Sequence, residues 1–141
     1  MRLDARDLAD DMLTGRTRKH SLRVGDSLTG LAATVGYLHD TVEEKYLSGA
    51  AIRYLFDDYT ADAVLAMSRQ YGETYAQFIK RAAAHPVAGI VKLADMLDNL
   101  EEIGTLKSSL SARYLKQLPI LLKHLPHAPE ALRVRAQAIL S

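Results

Sequence analysis

The chain has 141 residues, of which 48% are hydrophobic, 25% charged and 6% aromatic. Such proportions describe one soluble globular domain spanning 1–141 and exclude disordered, collagenous and membrane-embedded classes. Cysteine is absent, which excludes disulfide scaffolds, cysteine nucleophiles and thiolate zinc sites. With 18 Lys and Arg against 17 Asp and Glu, the formal charge of +1 gives no support to nucleic acid as a partner.

The first thirteen residues alternate charge with apolar side chains and lack the apolar core of a signal peptide. The most apolar stretch, Leu31 to Leu38, is far shorter than the roughly 20 residues a spanning helix needs. The expectation is therefore a cytoplasmic protein with no membrane partner. Its oligomeric state is not legible in the sequence.

In chain order, helical periodicity dominates and no alternating strand is found. Residues 2–13 place Leu3, Leu8, Met12 and Leu13 near one face, and Gly15 is expected to end that helix. Residues 16–19 read as a basic connection, followed by a segment from His20 to about Leu28 and a buried helix over Leu31–Glu44. Ser48 is the expected N-cap of Gly49–Asp57, and Thr60 that of Ala61–Ser68. A loop at 70–74 leads into Tyr75–Ala84, and Pro86 opens Val87–Leu100. The pattern breaks over Leu106 to Ser109. Helices over Leu110–Leu125 and Pro129–Leu140 follow, joined by a turn at His124 to Pro129, and Pro119 is expected to kink or split the first of them. The predicted fold is all-α, a bundle of about seven or eight helices with short connections.

Chemistry concentrates in two places. At the end of Leu31–Glu44, an apolar helix suddenly presents His39, Asp40, Glu43 and Glu44. The i, i+4 relation stacks His39 above Glu43 and Asp40 above Glu44. An imidazole and three carboxylates beside an apolar run are costly to bury unpaired, and a divalent cation would satisfy them. Alternatively they form a solvated helix end. The second place is Val91–Leu100, where Leu93, Met96, Leu97 and Leu100 form a packing stripe and Lys92, Asp95 and Asn99 line another face. Lys brings a point charge, Asp a metal oxygen and Asn a hydrogen-bond donor, a combination suited to a metal beside a phosphate.

Together the two segments resemble a known family. His20, His39-Asp40 and Asp95 match the H…HD…D signature of HD-domain metal-dependent phosphohydrolases. Within that superfamily, the stretch His39-Asp-Thr-Val-Glu-Glu44 is similar to the HD-x-x-E-D motif of the RelA/SpoT hydrolase domain. Val91-Lys-Leu-Ala-Asp95 with Asn99 is similar to its V-K-L-A-D-x-x-x-N helix, and the resemblance covers about residues 16–125. It implies an all-α domain holding one divalent cation, commonly Mn²⁺, on His20, His39, Asp40 and Asp95. It further implies that Glu43 and Glu44 act on the attacking water and that Asn99 touches the nucleotide. The implied reaction removes the 3′-pyrophosphate of guanosine tetra- or pentaphosphate, leaving GDP or GTP.

The sequence departs from the family pattern at four points. Glu43-Glu44 stands for Glu-Asp, Ser21 rather than Pro follows the first His, the basic loop before His20 is short, and Asp98 occupies a position often held by His. These bear on substrate identity more than on metal binding. Arg16, Arg18 and Lys19 form either a phosphate clamp or a solvated turn, and His20 is either a ligand or a surface residue at a helix start. His85, His124 and His127 read as surface or turn residues, while Tyr71 or Tyr75 is a candidate for stacking on a base. The rival functions are hydrolysis of another small nucleotide by the same metal chemistry, a nucleotide- or partner-binding module without turnover, and a helical adaptor.

Overall fold

Short polar side chains cap the starts of four helices among the described residues. In the computed structural model, which describes residues 4–102 and 108–141, α1 (Ala5–Met12) begins where the Asp4 carboxylate accepts from the amides of Arg6 and Asp7. Gly15, at φ +58°, is the first residue of α2 (Gly15–Asp26) and not a stop for α1. The basic run 16–19 is therefore the first turn of a helix, because Arg and Lys are good helix formers. α3 (Gly30–Glu43) follows, and Ser48 caps α4 (Gly49–Leu55) through the Ala51 amide at 3.0 Å.

Asp57, not Thr60, caps α5 (Asp58–Ala66): its carboxylate accepts from the Thr60 amide at 2.7 Å, leaving Thr60 inside the helix and buried. Only Phe56 and Asp57 separate α4 from α5, with Asp57 fully extended, so the two short helices stay distinct. A reciprocal Thr74–Gln77 capping box opens α6 (Tyr75–Ala84). Pro86 lies in the turn before α7 (Ala88–Glu101), where His85 Nδ1 accepts from the amides of Val87 and Ala88 at 3.1 Å each. α8 (Ser108–Lys123) and α9 (Glu130–Leu140) complete nine helices among the described residues, and no strand occurs among them.

Two expectations need correction at the chain's second half. Of the kink or split expected at Pro119, the split does not occur, since α8 runs through that residue. It sits on the exposed side, so the amide it lacks strands only a carbonyl that water can reach, while Leu118 and Leu121 anchor the opposite face in the core. The expected break over Leu106 to Ser109 falls partly on 103–107, outside the described residues, as does Leu3; Ser108 and Ser109 are already in α8.

A single apolar cluster draws residues from every helix, and α7 lies at its centre, packed against α2, α3, α5, α6, α8 and α9. Every α7 position from Val91 to Asp98 is buried. The other decisive packing is the crossing of α2 and α3. There Gly36 approaches the Gly25 backbone so closely that a Cβ on Gly36 would lie 3.1 Å from the Gly25 Cα. No helix among the described residues is long and apolar enough to cross a membrane.

Candidate metal centre

Three helices meet at the floor of a cleft of about 730 Å³. α2 brings His20, α3 brings His39 and Asp40, and α7 brings Asp95. His39 is buried, and its Nδ1–H donates to the Gly36 carbonyl of its own helix at 2.6 Å. That bond turns Nε2 into the site, where it is buried without a hydrogen bond, 3.2 Å from Asp40 Oδ2 and 3.4 Å from Asp95 Oδ1.

His20 stands nearly edge-on to His39, with ring centroids 5.5 Å apart. Its Nε2 lies 2.7 Å from Asp95 Oδ1, and its Nδ1 lies 2.7 Å from Asp98 Oδ2. The ligand atoms of His20, His39 and Asp95 all fall within 4.8 Å of one another. Asp40 stands beside them, its Oδ2 accepting from Ser21 Oγ at 2.6 Å and lying 4.0 Å from His20 Nε2.

The remaining oxygen of Asp95 accepts from Lys92 Nζ at 2.8 Å, and Asn99 Nδ2 lies 3.5 Å from Asp95 Oδ1. The Lys92 ammonium is surrounded by the rings of Phe78, Tyr75 and Tyr114 at 5.0, 5.6 and 5.9 Å. Burial works against the charge on each of these groups, yet their mutual attraction wins. It pushes the His20 imidazole up to about 10 against burial, through the Asp95 and Asp98 carboxylates. Asp95 is held well below the usual carboxylate range, again against burial, by Lys92 and the two imidazoles.

This donor set fits a divalent cation. It combines two imidazole nitrogens with carboxylate oxygens, and one of those nitrogens is buried without a hydrogen bond. Each donor is oriented from behind: His20 by Asp98, His39 by Gly36, Asp40 by Ser21 and Asp95 by Lys92. No family model matches the chain, and no curated protein matches its sequence.

Of the other residues singled out by sequence, Glu43, Arg16, Lys19 and Asn99 line the cleft. Arg16, Lys19, His20 and Arg23 share one face of α2 at helical spacing. Arg18 is rotated away and pairs with Asp10 instead, also donating from Nε to the Asp10 carbonyl. Glu44 is not a cleft residue: α3 ends at Glu43, and Glu44 is an exposed cap beyond it. Lys92 reaches the cleft wall, but its ammonium is buried and already paired with Asp95, so it serves that carboxylate rather than standing ready for a phosphate.

Tyr71 is fully exposed and Tyr75 packs between Phe78 and Tyr114, so Tyr114 is the tyrosine that lines the cleft. His85 caps α7, and His124 Nδ1 bonds the Ile120 carbonyl at 2.8 Å, in keeping with turn and surface roles. Sequence reasoning missed what Asp98, Arg23 and Ser21 do. The i, i+3 spacings Asp95–Asp98 and His20–Arg23 carry the signal for two of them, since each pair shares a helix face.

Proposed function

We propose that the chain is a metal-dependent phosphohydrolase of nucleotide phosphate esters, with the 3′-pyrophosphate of guanosine tetra- or pentaphosphate as its leading substrate. The convergence of His20, His39 and Asp95 from three separate helices carries this reading. The cleft above them supports it, with Arg16 and Lys19 on one side and Glu43 on another. The resemblance of the two segments to the RelA/SpoT hydrolase domain supplies the choice of nucleotide.

His20, His39, Asp40 and Asp95 would hold the cation, Mn²⁺ in this reading because mixed imidazole and carboxylate ligands suit it. When bound, such an ion supplies Lewis acidity to a phosphate oxygen and acidifies water. Glu43, one turn beyond His39 and exposed to the cleft, takes the proton of the attacking water. Arg16 and Lys19 pair with the phosphates, and Asn99 donates to the nucleotide. Water oxygen joins the phosphorus, the bond from that phosphorus to the 3′ oxygen breaks, and the 3′ oxygen leaves carrying a proton.

The test is incubation of the purified protein with guanosine tetraphosphate, with Mn²⁺ or with chelator, and chromatography of the products. Mn²⁺-dependent release of GDP and pyrophosphate is the expected outcome. Intact substrate despite bound Mn²⁺ would move the reading to another nucleotide, such as a nucleoside phosphate or NADPH. Intact substrate with no bound metal would replace the enzyme by a binding module.

A further inference from the structure

On the proposed reading of His20, His39 and Asp95 as a metal centre, we infer that Asp98, braced by Arg23, is the positioning residue that makes His20 a metal donor. A neutral imidazole carries one proton, and the ring nitrogen that carries it cannot donate to a metal. Both ring nitrogens face a carboxylate at 2.7 Å. For Nε2, which faces Asp95 and His39, to donate to a metal, the one proton that stays on the ring must reside on Nδ1. Asp98 Oδ2 lies 2.7 Å from that Nδ1. A carboxylate has no hydrogen to offer and accepts only the Nδ1–H tautomer, whereas an amide in its place can also donate and admit the wrong one.

Arg23 fixes the carboxylate in turn. Its Nε and terminal nitrogen donate to the two Asp98 oxygens at 2.8 and 3.0 Å, a fork that sets the plane of the acceptor. Asp98 is buried while Arg23 is 44% exposed, so the brace reaches inward from the cleft mouth. His39 obtains the same service from the Gly36 backbone carbonyl. One imidazole of the pair is thus oriented by main chain and the other by a side chain that can be removed.

Mn²⁺ titration of the metal-free protein, following free Mn²⁺ by electron paramagnetic resonance, tests this without any substrate. Asp98→Asn is expected to weaken Mn²⁺ affinity by about 10- to 100-fold. Arg23→Gln, at a half-exposed position, is expected to give a smaller loss in the same direction. With Zn²⁺ as a diamagnetic probe, ¹⁵N shifts of the wild-type protein are expected to show His20 protonated at Nδ1 and metal-bound at Nε2. A wild type that binds Mn²⁺ while both variants bind it equally well would overturn the role of Asp98 and leave the metal centre standing. Metal on His20 Nδ1 would do the same, even where Asp98→Asn does not fold. A wild type that binds no Mn²⁺ would overturn the centre and the role of Asp98 with it.

Discussion

Glu43 and Glu44 share a side-chain chemistry and differ in where α3 leaves them. Glu43 lines the cleft, and one of its oxygens accepts from the Arg69 amide at 3.2 Å; Glu44 caps the helix in solvent. Glu43→Gln is therefore expected to lower kcat by about 10²- to 10⁴-fold, the usual range for a lost general base, with Mn²⁺ affinity little changed. Glu44→Gln is expected to leave kcat nearly unaltered. Equal losses in the two variants would show that the cleft does not select between them. The donors themselves were legible in sequence because His39, Asp40 and Asp95 interrupt apolar helices that have no other reason to carry them. Asp98 was legible as a residue and illegible as a role. Read alone it adds negative charge near a phosphate site, whereas in the fold Arg23 and His20 neutralise it.

The α2–α3 pair and the α5–α6 connection each depend on one contact that can be tested. A Cβ on Gly25 would lie 2.1 Å from the Tyr37 ring, and that ring is tied by its hydroxyl to Asp26 at 2.5 Å, which Arg6 also holds. Gly25→Ala is thus expected to lower stability by about 1–3 kcal/mol, read as a shift in the urea midpoint; an unshifted midpoint would mean that Tyr37 moves freely. In the connection between α5 and α6, Arg81 donates to both oxygens of Glu73 and to the carbonyl of Ser68. The Arg81 guanidinium, with the Gln70 amide, holds the Glu73 carboxyl down at about 2, against an ordinary value of 4.5. Because the folded value is depressed, its contribution is complete above pH 4.5 and is lost as pH falls towards 2. Glu73→Gln is expected to be less stable than wild type at pH 7, with the gap closing over that acid range in urea melts. A gap independent of pH would show that charge plays no part. The helix start at Ser48 was readable because a short polar side chain announces it. The start of α2 was not, since Gly15 at positive φ looks the same in sequence whether it closes one helix or opens the next.

For the molecule as a whole, the candidate centre joins α2, α3 and α7, so a cation bound there ties the middle of the fold together. Ligand that binds only the folded chain at 100 times its Kd adds about 2.7 kcal/mol of stability. In a chain of this size that raises the Tm by roughly 10 °C. Saturating Mn²⁺ is expected to produce such a rise by calorimetry and chelator to reverse it, while an unmoved Tm would count against the centre. The all-α class was plain from periodicity. The central place of α7 was hidden, because Lys92, Asp95 and Asp98 give it the look of a half-exposed helix and only their partners on α2, α3 and α6 allow it to be buried. The glycine crossing of α2 and α3 bears on how this site can evolve. At the crossing the backbones of Gly25 and Gly36 meet, with the Tyr37 ring and the Val24 side chain packed against the two glycines. That leaves little room to change the separation of His20 from His39. Around a bound cation the two imidazoles would form the fixed jaw of a chelate. Asp95 would be the adjustable jaw, carried on a helix seated among exchangeable apolar side chains. Selection for an ion of another radius has to act through the packing of α7, and variants with a new metal preference are expected to carry their changes there.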